Sequence, residues 1–152
     1  MSRTSTNNFF EDFQAGDEFW HVRGKTVTEF DNAGGTLMAM NTAHSHFNEQ
    51  AMAGSDWGQR LVFGGITSSL VVGLAMQDTG ENAVEEVGLD NVRLPSPVFH
   101  GDTIHVRTKV LDTEPHPDGT SGFVRFFHEG FNQEGSVVFE GERLVRLHAR
   151  PG

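Results

Sequence analysis

The stretch Gly64-Gly65-Ile66-Thr67-Ser68-Ser69-Leu70-Val71-Val72-Gly73-Leu74-Ala75-Met76 is the most hydrophobic part of the chain. Ile66, Leu70, Val71 and Leu74 recur at helical spacing, while Val62, Val72 and Ala75 widen the apolar surface. A helix that is apolar nearly all round is a buried helix. Ser68, Ser69 and Gly73 are small enough to let neighbours pack closely, and Gly80 ends the element. Beyond Gly80 the period changes from 3.6 to 2. Ile104, Val106, Thr108 and Val110 alternate with His105, Arg107 and Lys109, the pattern of a half-buried strand. Gly101-Asp102 forms a turn before it, and Pro115-His116-Pro117-Asp118-Gly119 a hairpin loop after it. Gly122 to Phe131 and Ser136 to His148 read as two further strands, joined around Asn132-Gln133-Glu134-Gly135. With Ala83 to Leu94 before them, four consecutive antiparallel strands follow the helix. This order predicts an α+β domain in which an antiparallel sheet wraps one central buried helix.

Upstream of the helix, residues 1–8 read as a flexible tail and residues 9–152 as one domain. Phe9-Phe10-Glu11-Asp12-Phe13 leads to a turn at Gly16-Asp17, and Glu18 to Thr28 is an extended run. Thr28 with Asp31 three residues on forms a capping pattern, and Leu37, Met38 and Met40 supply apolar positions to the helix that follows. From Asn41 to Arg60 the chain is polar and histidine-rich, with a short helix expected near Asn48–Ala53. Long excursions in small domains are usually functional.

Composition narrows the function. The 152 residues carry 21 acidic and 11 basic side chains, a formal charge of −10, which excludes binding to nucleic acid through a basic surface. Only two of the bases are lysines (Lys25 and Lys109), and this acid-rich surface suits a salt-loving source. The absence of cysteine excludes a disulfide framework, a thiolate metal site and a cysteine nucleophile. No apolar run reaches 18 residues, and the polar start Met1-Ser2-Arg3-Thr4-Ser5-Thr6-Asn7-Asn8 lacks the apolar stretch of a signal peptide. The expectation is a cytoplasmic protein with no membrane contact.

The chemistry-bearing segment is Met40-Asn41-Thr42-Ala43-His44-Ser45-His46-Phe47, with Leu61-Val62-Phe63-Gly64-Gly65 leading into the buried helix. Histidine moves protons near neutral pH, and the first turn of a helix offers unpaired N–H groups to an oxyanion. Asn41 and His46 with Gly64 and Gly65 therefore form an acid/base constellation. The alternative is a set of ordinary loop residues. Two imidazoles, His44 and His46, fall on one side of an extended segment, but no third metal ligand lies nearby, so no metal is expected. Asp31 is assigned to the helix start rather than to chemistry. Arg93 is either an anion-binding fork or a solvated strand charge, and Phe47 and Phe63 flank the constellation as candidate walls of an acyl pocket.

These residues resemble the MaoC-like dehydratases, the family that includes R-specific enoyl-CoA hydratases of the hot-dog fold. That family's motif has Asp, then Asn two on, then Pro, an aliphatic residue, and His five after the Asp; here the positions hold Asn41, Ala43, His44, Ser45 and His46. Only His46 matches outright. Phe10-Glu11-Asp12-Phe13 with Gly16-Asp17 is similar to the family's opening, Leu61-Val62-Phe63-Gly64 to the segment before its central helix, and Val92-Arg93-Leu94-Pro95-Ser96-Pro97-Val98-Phe99-His100-Gly101-Asp102-Thr103 to its strand-turn-strand segment. The resemblance implies reversible hydration of a 2-enoyl-CoA to a 3-hydroxyacyl-CoA, with a mesaconyl-type short branched or dicarboxylic acyl group. It implies His46 as acid/base, Asn41 in the Asp position, and Gly64 as oxyanion donor, with Gly65 adjacent. Coenzyme A is part of the substrate and no separate cofactor is expected. It implies, too, a homodimer, which covers the exposed sheet edge. An amide at position 41 cannot accept and return a proton at neutral pH. A non-catalytic acyl-CoA binder, or partner of an active subunit, and a hot-dog thioesterase are the rival readings.

Overall fold

The structure, a computed structural model, describes residues 2, 3, 5 and 7–152. Its elements run β1 (Ser2–Arg3), a short 3₁₀ turn (Phe10–Asp12), β2 (Glu18–His21), β3 (Lys25–Thr26), a π-helical turn (Phe30–Gly34) leading into α1 (Gly35–Met38), α2 (His44–Phe47), α3 (Glu49–Ala53), α4 (Gly64–Thr79), β4 (Ala83–Arg93), β5 (Thr103–Pro115), β6 (Ser121–Phe131) and β7 (Val137–His148). The sheet order is β1-β2-β5-β6-β7-β4, with β3 also on β5. Every pairing is antiparallel except β1 with β2.

Helix α4 lies across this sheet, with Val71 and Ala75 fully buried and Ile66, Leu70 and Leu74 packed on the same cluster. The expected buried helix is present, but one flank is open: Ser69 and Gly73 face outward. Strand β6 passes so close that a Cβ on Gly130 would sit 2.5 Å from Val71 Cγ2. Both residues are in the interior, so neither can give way. Gly130→Ala is expected to destabilise the fold by about 1–3 kcal/mol, the range for overpacking, as read by denaturant unfolding; an unchanged midpoint would mean that the helix can lift off the sheet.

Three expectations need correction. The four late strands are not one meander: β5, β6 and β7 are, but β4 pairs with β7 at the far edge. The extended run from Glu18 is broken into β2 and β3, which meet different stretches of β5. Leu37, Met38 and Met40 do not face the core; they are 59%, 88% and 86% exposed, and the inward positions of their helix are Asn32 and Thr36. At the start of the chain, within the stretch read as a flexible tail, Ser2–Arg3 pair with β2, Ser5 N–H bonds Asp78 Oδ1, and Asn8 Nδ2 bonds the Asp78 carbonyl. The short helix near residue 48 is present as α3, with Asn48 Oδ1 accepting the Ala51 N–H at its start.

The interior is divided. One apolar cluster gathers Val27, Val62, Val98, Ile104, Val106, Val138 and Phe139 with α4; the other gathers Phe13, Phe19, Val110, Val124, Phe126, Val145 and Leu147. Between them runs a buried polar seam across the inner face of β2, β5, β6 and β7. His21 Nδ1 donates to Asp78 Oδ2 (2.5 Å), so His21 Nε2 is left to accept from Thr108 Oγ1 (2.7 Å). The Thr108 oxygen then accepts from His128 Nδ1 (2.7 Å). Arg143 continues the seam, donating to Thr79 Oγ1 and to the Glu86 carboxylate. His128 Nε2 is buried with no partner among the described residues.

Candidate active site

Three short elements carry the histidine to the mouth of α4. Thr28 and Asp31 form a reciprocal capping pair: Asp31 Oδ2 accepts the Thr28 N–H (2.7 Å) and Thr28 Oγ1 accepts the Asp31 N–H (3.3 Å), and Lys25 Nζ lies 3.0 Å from the same carboxylate. Asp31 is thus a helix-start residue, as read from the spacing. The turn after α1 ends at Met40, whose φ of +57° is uncommon for a side chain of that size. The Asn41 N–H then closes on Thr36 O (3.0 Å), and Asn41 Oδ1 accepts the Ala43 N–H (3.1 Å), turning the chain into α2. Arg60 ties the far end of the excursion back. It makes two bonds to Glu29 (2.7 and 2.8 Å) and one to Glu49 (2.5 Å), and its hydrogen bonds hold the Glu29 carboxyl below its usual range.

His46, in α2, has one ring nitrogen committed. Nδ1 lies 2.8 Å from the Leu61 carbonyl oxygen, which can only accept, so Nδ1 carries the proton and neutral His46 keeps a lone pair on Nε2. The ring lines a cavity of about 360 Å3 together with Trp57, Leu61, Val62, Leu94 and Val98, with Gly64 and Thr67 from the first turn of α4 on the same wall. The N–H groups of Gly64 and Gly65 belong to that first turn, where no carbonyl of the helix itself can reach them. A Cβ at 64 would meet Leu94 Cδ1, so a larger residue there has to push the Leu94 side chain aside on the cavity wall. An imidazole acceptor and a helix N-terminus on one apolar cavity can move a proton and stabilise a developing oxyanion.

The other predicted residues divide. Phe63 packs on His46, with ring centroids 5.5 Å apart, and its ring also covers Gly65. Phe47 is half-buried in α2, and Arg93 is exposed at the end of β4, outside the cavity wall that its neighbour Leu94 helps to form. Asn41 is also outside that wall, its carbonyl engaged in the turn before α2. His44 bonds Asn48 at the surface.

One residue was missed by the sequence reading. Asn32, fully buried, sits between the His46 loop and the start of α4 and reaches both. A lone asparagine inside a helix has no periodicity to mark it, and apart from Thr36 its side-chain partners lie 14 to 68 residues away.

Comparison with known proteins gives the same architecture. The chain is 34% identical over 150 residues to the mesaconyl-CoA hydratase of Haloarcula marismortui, an alignment that covers 91% of this chain and 41% of the relative. Among solved structures, a MaoC-like dehydratase from Rhodospirillum rubrum superposes with a TM-score of 0.81 at 24% identity, covering 96% of this chain and 100% of that one. A conserved hypothetical protein of Mycobacterium tuberculosis described as having a double hot-dog fold superposes with a TM-score of 0.84 at 19% identity, covering 96% of this chain and 46% of that one. At these identities the two structures speak for the fold, α+β and hot-dog. The chain spans about two-fifths of the length of the curated relatives it matches. The family model described as mesaconyl-CoA hydratase matches residues 3–149, and with it the chain belongs to the mesaconyl-CoA hydratase family.

Proposed function

We propose that this chain carries a hydratase site that interconverts a 2-enoyl-CoA and a 3-hydroxyacyl-CoA. The observation that carries the reading is the His46 Nδ1–Leu61 bond, which leaves Nε2 as a proton acceptor on a cavity that the first turn of α4 shares. In the proposed reaction Nε2 takes a proton from water as the water oxygen bonds to C3. The electrons of the double bond move toward the thioester oxygen, where the N–H of Gly64 (with Gly65 beside it) holds the negative charge. The imidazolium then returns its proton to C2. Coenzyme A enters and leaves as part of the substrate. Trp57, Leu61, Val62, Leu94 and Val98 offer an apolar wall to a short acyl group, and the Haloarcula relative's name puts mesaconyl-CoA first among substrates. Phe47, Phe63 and Arg93 remain the proposed substrate-side residues, and Asn41 the second catalytic-loop residue.

The proposal extends to assembly and setting. We take residues 9–152 as one hot-dog module that pairs with a second, in a homodimer or a dimer-based assembly. Strand β4 pairs only with β7 among the described strands and presents Val84, Val87, Leu89 and Val92 at 37–44% exposure. Phe30, Leu37, Met38 and Met40 add a second apolar surface beside the site loop. Surfaces of this kind mark interaction sites. A cytoplasmic location fits a chain in which no described helix is long and apolar enough to cross a membrane, and a salt-adapted one fits its charge of −10.

The engaged state of Asn41 favours one rival: a module that binds acyl-CoA and leaves turnover to a partner. Purified protein, assayed with linear, branched and dicarboxylic enoyl-CoAs at low and high salt, separates the readings. Loss of the enoyl-thioester absorbance without thiol release supports hydration. Thiol release marks a thioesterase, and binding with neither signal marks a binder. Within the hydratase reading, Asn41→Asp keeps the oxygen that accepts the Ala43 N–H and is expected to hold kcat within about tenfold of the natural value. Asn41→Ala loses that bond and falls further. Equal kcat in the two variants would separate Asn41 from the site.

A further inference from the structure

We propose that Asn32 is the positioning residue of this site, a single buried amide that fixes both the tautomer-setting carbonyl of the acid/base histidine and the start of the oxyanion helix. The inference rests on the hydratase reading of His46 and Gly64 above.

The amide's orientation is decided by its neighbours. Oδ1 faces two donors, the Phe63 N–H at 3.0 Å and the Thr36 hydroxyl at 3.1 Å. Phe63 is the residue immediately before α4, and its backbone N–H can only donate. Nδ2 faces two obligate acceptors, the Leu61 carbonyl at 3.3 Å and the His46 carbonyl at 3.4 Å, with His100 Nε2 at 3.3 Å beside them. Flipping the amide would set oxygen against two carbonyls and nitrogen against two donors, so the orientation is unique.

The consequence concerns the Leu61 oxygen. It receives the His46 Nδ1–H and the Asn32 Nδ2–H together. Asn32 thus anchors the one atom that fixes His46 in the tautomer with a bare Nε2. The same side chain holds the His46 backbone on one side and the Phe63 N–H, one residue ahead of Gly64, on the other. Relative displacement of proton acceptor and oxyanion donors by even about 1 Å costs rate heavily. No other side chain of this size supplies both the donors and the acceptor. Aspartate keeps the acceptor but opposes two carbonyl oxygens with a charged oxygen, and leucine satisfies neither side. The π-helical turn Phe30–Gly34 contains Asn32, and a turn of this kind shifts the register that an α-helix would impose. The clip is braced from outside, since Glu29, three residues before Asn32, is held by Arg60.

The test uses crotonyl-CoA and mesaconyl-CoA hydration by the natural protein, His46→Gln, Asn32→Asp and Thr36→Val, each followed across the pH–rate profile with thermal unfolding alongside. Asn32→Asp is expected to lower kcat about 10–100-fold, the usual range for a supporting residue, with KM changed much less. Its carboxylate favours the protonated imidazole, so the acid limb of the profile moves to higher pH. Thr36→Val removes one donor to Oδ1 while keeping shape, and is expected to lower kcat by a smaller factor with folding retained. A purely structural role would move the melting temperature and leave the acid limb and the kcat-to-KM split in place; that result overturns the inference. If Asn32→Asp does not fold, Thr36→Val decides: reduced kcat in the folded protein supports the inference, and full kcat overturns it. The underlying reading fails separately, by absent hydration in the natural protein or full activity in His46→Gln, and the inference fails with it.

Discussion

Replacing His46 by alanine is expected to lower the rate of enoyl-CoA hydration about 10²–10⁴-fold, the span that a positioned acid/base group contributes. The same change is expected to leave folding nearly intact. His46 is half-buried, and the hydrogen bond its ring makes among the described residues goes to a carbonyl that also accepts from Asn32 Nδ2. The Leu61 oxygen therefore keeps a partner in the variant, and the lost bond costs about 1 kcal/mol. Rate and stability should separate, and that separation is the signature of a catalytic group. An alanine variant with natural turnover and an unchanged unfolding curve would leave this site without its proton carrier.

The largest expected effect on stability is a loss on acidification, centred on the buried seam. Burial lowers the His128 pKa well below its ordinary value, with the Arg143 charge adding to the effect. Burial likewise lowers that of His21, against the opposing pull of Asp78. Both rings are therefore neutral in the fold, which agrees with the hydrogen-bond order from Asp78 to His128. A second proton on His128 would sit on Nε2, a buried atom with no acceptor among the described residues. In the unfolded chain both histidines titrate near pH 6.5. Below that pH the unfolded state binds protons that the native state refuses, so stability falls as pH falls. The slope is up to about 1.4 kcal/mol per pH unit for each histidine, continuing until its folded pKa is reached. Denaturant unfolding at pH 7.5, 6.5 and 5.5 (values chosen to bracket about pH 6.5) reads this directly. His128→Gln, which can still donate to Thr108, should lower the slope by about one proton. Equal stability at all three pH values would mean that the seam admits charge.

Much of the architecture was legible from local pattern. The apolar run from Ile66 to Met76, the alternation from Ile104 to Val110 and the turn residues at Gly101-Asp102 and Pro117-Asp118-Gly119 each report a neighbour-to-neighbour preference, and each element formed where that preference placed it. Pairing order was not legible. Strand β4 precedes β5 in the chain, but its partner is β7, at the edge opposite the one that β2 takes on β5. Nor was the direction of α1. Leu37, Met38 and Met40 carry an apolar pattern that predicts the inside, but the π-helical turn before them rotates Asn32 and Thr36 inward instead.

For the site, the sequence by itself determined the reagents: a histidine in a long polar excursion, two glycines opening an apolar helix, and a cysteine-free, lysine-poor chain with few alternatives. These follow from residue chemistry and short spacings, which need no fold to be read. Only the tertiary structure decided which atoms face each other. It turned Nδ1 of His46 to Leu61 and left Nε2 bare, took Asn41 into a turn, and put Asn32 between elements far apart in the chain. It also collected His21, Thr108, His128 and Arg143, which in sequence are inward positions on separate strands, into one seam. The physical reason is common to all of these. A buried polar group must find its partner within hydrogen-bond reach, and that reach is measured across the fold rather than along the chain.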